Sequence, residues 1–391
     1  LGLPVGRYRL AAFVLAGTIA AFAGGLAASL RQAVTPETFT IFDALNFLGM
    51  AVIGGLGAPV GAALGGVMGA ALPEIARVDP FRFLQGRVIL VYGVALVVVL
   101  AFRPGGLAGL LGLDRRPVPD LPPPQPPPSP PARRPRRSLL RVEGLVVAFG
   151  GVRAVDGVTL RVADGEAVAL IGPNGAGKTT LFDAVTGTLP ATRGRVFLDG
   201  ADVTDLPPER RAGRGLGRTF QAARVFAGLT VAENLVAASH LRPAGERPAA
   251  TASRLLHRLG LAERAGARPG DLPFGSLRAL EVGLALAAGP RLLLLDEPTA
   301  GMDPAEADDL CDLLDELRHE LGMAVLLVEH DMAVVGRLAE RVVVLDQGRL
   351  LAEGTPATVA ADPLVIAAYL GTAAGSLQTL DLREEVARAR R

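Results

Sequence analysis

The stretch of sequence that decides the fold is Val168-Ala-Leu-Ile-Gly-Pro-Asn-Gly-Ala-Gly-Lys-Thr179. Its apolar start, Val168–Ile171, predicts a buried strand, and a helix is expected from about Thr179 to Val185. From Gly172 onward the residues match the phosphate-loop pattern G-x-x-x-x-G-K-[ST] in the strand–loop–helix context that it requires. The glycines allow backbone N–H groups to turn inward around an anion, which the helix N-terminus also faces. We therefore expect this loop to bind the phosphates of a nucleotide.

Lys178 is the only lysine among 40 basic residues. Its compact charge on a flexible stem suits the β- and γ-phosphates, whereas the hydroxyl of Thr179 is expected to bind Mg²⁺. The residues predicted to contact the nucleotide in this segment are Gly172, Pro173, Asn174, Gly175, Ala176, Gly177, Lys178, Thr179 and Thr180.

A second motif, Arg291-Leu-Leu-Leu-Leu-Asp-Glu-Pro298, predicts an apolar strand that ends in two carboxylates. Because side chains alternate along a strand, Asp296 and Glu297 are expected to point in different directions and to hold different roles. Asp296 suits the Mg²⁺ shell. Glu297 suits the base that orients or deprotonates an attacking water.

The order of motifs resembles the ABC transporter ATPase family over residues 138–385: the phosphate loop, Thr219-Phe-Gln221, Asp296-Glu297 and Val328-Glu-His-Asp331. The resemblance implies an ATP-hydrolysing α/β P-loop NTPase domain with an inserted helical subdomain at about residues 225–290. It also implies that two such domains close over two ATP molecules with Mg²⁺. Four residues acquire roles from it: Gln221 as the Mg²⁺ sensor that couples to the membrane subunit, His330 at the γ-phosphate, Phe149 stacking on adenine, and Asp303 at the dimer interface.

The segment Leu272-Pro-Phe-Gly-Ser276 aligns with the family's signature Leu-Ser-Gly-Gly-Gln, which caps the γ-phosphate of the partner's nucleotide. Pro273 removes the serine hydroxyl and one N–H. Gly275 is kept, Ser276 offers a hydroxyl, and a helix from Leu277 onward is expected to present its positive end. Two interpretations stay open, a weakened half-site or a dimer that hydrolyses asymmetrically.

Residues 1–112 predict a bundle of α-helical transmembrane segments, which the importer resemblance described below implies is a partial permease. Leu10–Leu30 is uncharged and reaches the roughly 20 residues that span a bilayer, and Phe83–Phe102 is broken only by Arg87. Between them, Ala44–Leu72 predicts two short spans broken near Gly57–Pro59, or a re-entrant hairpin. Glycines every fourth residue predict a face for close helix packing; these are Gly57, Gly61, Gly65 and Gly69. Arginines flanking the spans place both ends in the cytoplasm by the positive-inside rule; these are Arg7, Arg9 and Arg103.

Residues 113–137 form a Pro- and Arg-rich linker, expected to be an extended spacer of ~3.1 Å per residue, and residues 138–391 form the ATPase domain. The chain starts at Leu1 without a signal peptide, so we expect it to begin within a longer protein. A net charge of +1 gives no basic field for nucleic acid, and the single cysteine, Cys311, fits a reducing compartment.

A narrower resemblance is to the branched-chain amino acid importer, in both parts of the chain. In the ATPase part it rests on Gly217-Arg-Thr-Phe-Gln and on the ending Glu353-Gly-Thr-Pro through Ala368-Tyr-Leu-Gly371. The strings Ala51-Val-Ile-Gly-Gly-Leu-Gly-Ala-Pro59 and Ala101-Phe-Arg-Pro-Gly-Gly-Leu107 are similar to the closing third of its permease.

This resemblance implies an inner-membrane importer with a second ATPase domain (identical or different), a second permease and an extracytoplasmic solute-binding protein as partners. Importers of urea, amides or other small solutes stay open as alternatives, as does a weakly hydrolysing regulatory subunit. The membrane spans and the His330 segment disfavour a soluble nucleotide kinase.

Overall fold

The computed structural model describes residues 5–31, 41–57, 59–78, 87–102, 105–113, 119–124, 137–219, 225–241 and 247–372. The chain divides into two compact units, with the boundary between Pro117 and Val118.

The first unit is helical within its described residues, as its apolar composition predicts. Among the residues described in this unit, one helix, over Gly6–Leu30, is long and apolar enough to cross a bilayer, and it contains the predicted span Leu10–Leu30. At 1.5 Å per residue such a helix exceeds the ~30 Å hydrocarbon core. The helices are α1 (Val5–Arg31), α2 (Ile41–Gly54), α3 (Pro59–Ile75), α4 (Val88–Phe102) and α5 (Gly106–Leu110).

Helices α2 and α3 form a tightly packed hairpin, broken where the sequence predicted. At Gly61 and at Gly65 an added Cβ would overlap the backbone of α2 or of the turn that follows it, and at Gly69 it would overlap the Met50 side chain. Gly57 has open space around it, so three of the four predicted glycines make the packing face. With 14 and 17 residues, α2 and α3 are short for full spans, which fits either predicted alternative.

The second unit is an α/β domain with two sheets. Its strands are β1 (Ser138–Phe149), β2 (Val152–Ala163), β3 (Ala167–Ile171), β4 (Arg193–Leu198), β5 (Ala201–Asp202), β6 (Leu216–Arg218), β7 (Leu292–Asp296), β8 (Ala324–Val328), β9 (Arg341–Asp346) and β10 (Arg349–Gly354). Its helices are α6 (Lys178–Thr186), α7 (Pro208–Ala212), α8 (Val231–Ser239), α9 (Pro248–Arg258), α10 (Phe274–Ala287), α11 (Pro304–Leu321), α12 (Met332–Leu338), α13 (Pro356–Ala360) and α14 (Pro363–Thr372).

The larger sheet determines where the chemistry lies. Its order is β10-β9-β3-β8-β7-β6, and every pairing is parallel except that of β10 with β9. The carboxyl ends of β3, β7 and β8 therefore lie side by side at one edge of the sheet, where open α/β sheets bind ligands. The smaller sheet, β2-β1-β4-β5, is antiparallel.

Strand β3 separates two hydrophobic cores because its side chains alternate between faces. Val168 and Leu170 belong to the core that also holds residues of β1, β2 and α6. Ala169 and Ile171 belong to the core that also holds residues of α8, α9 and α10. These three helices lie within residues 225–290, where the helical subdomain was predicted.

Part of the proline-rich segment contacts the second unit. Residues 119–124, within the predicted linker 113–137, have no regular secondary structure. Leu121 packs against the core that contains α9, and the buried Ser253 hydroxyl on α9 donates a hydrogen bond of 2.6 Å to the Pro122 carbonyl. This part of the segment, which was expected to be an extended spacer, is therefore docked on the second unit.

Candidate nucleotide-binding site

The phosphate loop joins β3 to α6 as the sequence predicted, and α6 begins one residue earlier than expected, at Lys178. Gly177 caps α6 in the left-handed region, with φ 97°, and a Cβ there would overlap the Ala154 carbonyl oxygen. Only glycine fits such a position without strain. A residue outside the loop also stabilises it, because the N–H of Gly348 donates to the Ala176 carbonyl at 3.0 Å.

The Lys178 ammonium lies within the phosphate loop. It donates hydrogen bonds to the carbonyl oxygens of Gly172, at 2.6 Å, and Pro173, at 3.0 Å. Burial lowers the pKa of Lys178, and the negative charges of Glu297 and Asp296 oppose that shift. The one ammonium side chain and the two carboxylates therefore act on each other at this edge of the sheet.

The two carboxylates differ in backbone environment. Asp296 is the last residue of β7 and is 4% exposed. Glu297 lies beyond the strand in the left-handed region, with φ 49°. We expected both residues to lie on the strand, so that its alternation would point their side chains in different directions. That reason is wrong, because the strand ends at Asp296 and Glu297 follows it. A non-glycine residue in this region is strained, a condition that clusters at functional sites.

Asp296 has a cationic partner that the sequence analysis did not assign. Nη2 of Arg218 donates to Oδ2 of Asp296 at 3.3 Å, and the backbone N–H of Asp296 donates to Oγ1 of Thr219 at 3.2 Å. Burial raises the pKa of Asp296, and Arg218 opposes that shift. The signal for Arg218 was its position beside Thr219-Phe-Gln221, although its partners lie 32 to 78 residues away.

His330 follows β8 at the same edge, and its side chain is 66% exposed. Its backbone N–H donates to the buried carboxylate of Glu329 at 3.2 Å. Asp331 then caps α12 by accepting from the N–H of Ala333 at 2.8 Å. The His330 side chain is thus left accessible while its backbone is fixed on both sides.

The signature segment departs from the predicted geometry. Helix α10 begins at Phe274, with Pro273 as its cap, so the expected start at Leu277 is wrong. Proline suits this position because it needs no N–H there and fixes its own φ. Gly275 and Ser276 lie in the first turn, where N–H groups lack partners within the helix. The Ser276 hydroxyl accepts a hydrogen bond from Arg264 at 2.7 Å.

The remaining predicted residues lie in different settings. Asp303 caps α11 by accepting from the N–H of Glu306 at 2.9 Å. Phe149 ends β1 and is 53% exposed, so its ring is available for stacking. Gln221 lies outside the described residues.

The C-terminal helix α14 contacts the phosphate loop through Tyr369. A hydrogen bond joins the Tyr369 hydroxyl to the backbone of Gly172, and the ring packs against the helix-side core. Burial raises the pKa of Tyr369 to about 12, so this hydroxyl stays protonated at neutral pH. The sequence analysis used this tyrosine only as part of the family-like ending.

The donor set suits Mg²⁺ rather than a metal held by protein alone. Among the described residues no group of three or more His, Cys, Asp or Glu side chains could hold a metal ion. Thr179 and Asp296 lie at one sheet edge and offer a hydroxyl and a carboxylate. Mg²⁺ is usually bound through one or two protein oxygens, substrate phosphates and waters, and these residues fit that pattern.

Three parts of the chain match known protein families. Residues 1–110 match the branched-chain amino acid transport system permease component. Residues 155–300 match the ABC transporter family. Residues 349–375, which include Tyr369, match the branched-chain amino acid ATP-binding cassette transporter family.

Similar proteins are matched over almost their whole length. BraF of Pseudomonas aeruginosa, a high-affinity branched-chain amino acid transport ATP-binding protein, is 43% identical, and the match covers 61% of this chain and 99% of BraF. LivG of Escherichia coli, with the same description, is 40% identical with the same coverage. LptB of Escherichia coli, a lipopolysaccharide export system ATP-binding protein, is 37% identical over 60% of this chain and 98% of LptB.

Solved structures share the fold. The ADP conformation of MJ1267, an ATP-binding cassette of an ABC transporter, is 32% identical with a TM-score of 0.56, covering 60% of this chain and 99% of that one. The dimeric, post-hydrolysis state of MJ0796 bound to ADP and Pi is 26% identical with a TM-score of 0.51, covering 56% and 98%.

Proposed function

This chain belongs to the ABC transporter family, in its branched-chain amino acid group, with a permease part and an ATP-binding part in one polypeptide. From this premise, we propose that it powers the import of branched-chain or other hydrophobic amino acids across the inner membrane. It is membrane-associated, it binds ATP, and its ATPase activity is coupled to transport. ABC ATPases work as dimers with permease components.

The proposed hydrolytic site is assembled from the sheet edge. Backbone N–H groups of the phosphate loop and the Lys178 ammonium hold the phosphates. Thr179 and Asp296 hold Mg²⁺, with Gln221 as a further ligand, and the ion neutralises phosphate charge when bound. Glu297 orients or deprotonates water, and His330 contacts the γ-phosphate. Positioning and charge stabilisation supply most of the catalysis.

The proposed cycle joins two ATPase domains. Each nucleotide lies between one domain's phosphate loop and the signature helix of the other, with Phe149 against adenine and Asp303 at the interface. The dimeric state of MJ0796 supports this arrangement. A second permease and an extracytoplasmic solute-binding protein complete the importer. Arg103, which follows the last predicted span in the sequence, supports a cytoplasmic position for the ATPase domain.

The observation that carries the proposal is the Lys178 ammonium, held over its own loop by two carbonyl oxygens and acting on Glu297 and Asp296. The test is steady-state phosphate release by the purified full-chain assembly. Glu297→Gln should abolish most release while ATP still binds, and Lys178→Ala should lose nucleotide affinity as well. Equal release by wild type and Glu297→Gln would overturn the ATPase assignment.

The solute is tested separately by uptake of labelled leucine into proteoliposomes that contain the assembly and its binding protein. Uptake that requires ATP and is suppressed by unlabelled valine supports the proposal. Suppression by urea or acetamide, with no effect of valine, would assign one of the alternative solutes.

A second candidate function, a regulatory subunit that binds ATP and scarcely hydrolyses it, is favoured by Pro273 in the signature position. It predicts ATP-dependent dimer closure with phosphate release no faster than that of Glu297→Gln. Restoring the hydroxyl with Pro273→Ser should then raise phosphate release. If the wild-type assembly already hydrolyses ATP and Pro273→Ser does not raise its phosphate release, the regulatory function is excluded.

A further inference from the structure

Arg218 is the last residue of β6, the strand that leads into Thr219-Phe-Gln221. Its side chain is only 7% exposed, although it carries a permanent charge. A buried guanidinium requires partners that repay its lost hydration, and its fixed fork of donors limits where they can lie.

The guanidinium joins three elements of the site. Nη1 donates to Oδ1 of Asp183, at 2.5 Å, and to Oγ1 of Thr186, at 3.1 Å, both on α6. Nη2 donates to Oδ2 of Asp296, at 3.3 Å, at the end of β7. One side chain thus connects the strand before Gln221, the helix of the phosphate loop and the carboxylate assigned to Mg²⁺.

Thr219 strengthens the same connection through the neighbouring backbone. Its N–H donates to the Leu294 carbonyl at 2.9 Å, and its hydroxyl accepts from the N–H of Asp296 at 3.2 Å. Arg218 therefore holds one oxygen of the Asp296 carboxylate, and Thr219 holds the backbone N–H of the same residue. The described residues give the other oxygen, Oδ1, no hydrogen bond, and this is the oxygen that would bind the metal.

We propose that Arg218 is a positioning residue for hydrolysis: by binding Asp296 and Asp183 together it fixes the metal-binding carboxylate and couples it to β6, the strand that precedes Gln221 in the sequence. This inference rests on the proposed function of the site. Groups around a metal that orient its ligands typically change metal affinity or activity about 10- to 100-fold when removed. Lysine cannot replace Arg218 because a single ammonium lacks the fork that reaches both carboxylates.

The test uses the full chain in its assembly, with Arg218→Lys, Arg218→Leu and the milder Asp183→Asn, which removes one charge of the bridge. In the Glu297→Gln background, Mn²⁺ binding in the presence of ATP is measured by electron paramagnetic resonance, and ATP binding is measured without metal. Phosphate release is measured in the unmodified background. The control is Arg341→Leu, which removes a similar bridge, between Glu166 and Glu353, near the amino ends of the strands.

Both Arg218 variants should weaken Mn²⁺ binding about tenfold or more and lower kcat, whereas metal-free ATP affinity changes less than about twofold. Asp183→Asn should shift Mn²⁺ binding in the same direction and should do so even if the Arg218 variants fold poorly. Arg341→Leu should leave Mn²⁺ binding unchanged. Unchanged Mn²⁺ affinity in the variants, or a parallel loss of metal-free ATP binding, would overturn the proposal. In either case, phosphate release by the wild-type assembly would leave the ATPase assignment intact.

Discussion

The Glu329 carboxylate accepts a hydrogen bond from the Thr299 hydroxyl at 2.7 Å, and both residues are buried. The same oxygen accepts from the Thr299 N–H at 3.3 Å, and the second oxygen accepts from the His330 N–H at 3.2 Å. One carboxylate therefore ties the loop after β7, which leads to Asp303, to the loop that carries His330.

Glu329→Gln tests this tie with little change of shape. The amide oxygen can still accept from Thr299, but the amide nitrogen then faces the N–H of His330, so two donors oppose each other. We expect a loss of stability of about 1–3 kcal/mol, together with slower phosphate release. Thermal unfolding and phosphate release check it. The control Glu320→Gln removes a surface pair with Arg258 and should change stability by less than about 1 kcal/mol. Wild-type thermal stability and phosphate release in Glu329→Gln would contradict this connection between the two loops.

The α2–α3 hairpin predicts different effects for two adjacent glycines. A Cβ at Gly65 would overlap the Met50 carbonyl oxygen, whereas a Cβ at Gly66 meets nothing within 4 Å. Gly65→Ala should therefore destabilise the first unit by about 1–3 kcal/mol, and Gly66→Ala should be nearly silent. Thermal unfolding of the detergent-solubilised chain, followed by size-exclusion chromatography, compares the two. Equal midpoints would rule out the close approach of the helices.

Ser253→Ala should release the docked proline-rich residues. It removes the hydrogen bond to the Pro122 carbonyl, and limited proteolysis near Leu121 should become faster. The matched control is Ser239→Ala, because Ser239 is equally buried but donates within its own helix, to the Leu235 carbonyl at 2.7 Å. If both variants are cleaved at the wild-type rate, the contact does not hold the segment.

Tyr369→Phe keeps the ring in the core and removes the hydrogen bond to Gly172. We expect the Kd for ATP to rise about fivefold, equivalent to about 1 kcal/mol, because the phosphate loop loses a brace. Leu364→Ala, at an exposed position on the same helix, should leave the Kd unchanged. Equilibrium binding of a fluorescent ATP analogue separates these outcomes, and an unchanged Kd for Tyr369→Phe would show that the brace is dispensable.

Cys311 should be unreactive in the folded chain. Burial raises its pKa from an ordinary 9.0 to about 12, and Arg337 lowers it only in part. At pH 8 the thiolate fraction is therefore about one in ten thousand, so maleimide should label the chain only after denaturation.

The folded pKa of Cys311 exceeds the unfolded one, so the stabilisation from burying its neutral thiol is complete below pH 9 and is lost between about pH 9 and 12. Denaturant unfolding of Cys311→Ala should lack that loss, and fast labelling of the native chain at pH 7 would refute this prediction.

The sequence predicted the local features of the site well. The phosphate-loop glycines, the strand before them and the helix after them follow from steric and dipolar demands that act within a dozen residues. The break between α2 and α3 was likewise visible because glycine and proline interrupt an apolar run. The start of α10 was missed because the prediction did not take Pro273 as a helix cap.

The connections between motifs could not be predicted from one sequence. Arg218 meets Asp183 and Asp296 across 35 and 78 residues, and Glu329 meets Thr299 across 30. No periodicity or spacing rule encodes such pairs, because the sheet order brings them together. The left-handed backbone of Glu297 was also hidden, since glutamate rarely adopts it and only the tertiary structure imposes it.

Residues 119–124 are docked on the second unit, and residue 137 leads directly into its strand β1. Extra residues inserted between positions 125 and 136 would therefore lengthen a connection whose two flanks are already anchored to the same domain. Lengthening such a connection costs only about 0.6 kcal/mol for each doubling of length. That interval is therefore the natural place to graft an affinity tag or a reporter domain into this transporter.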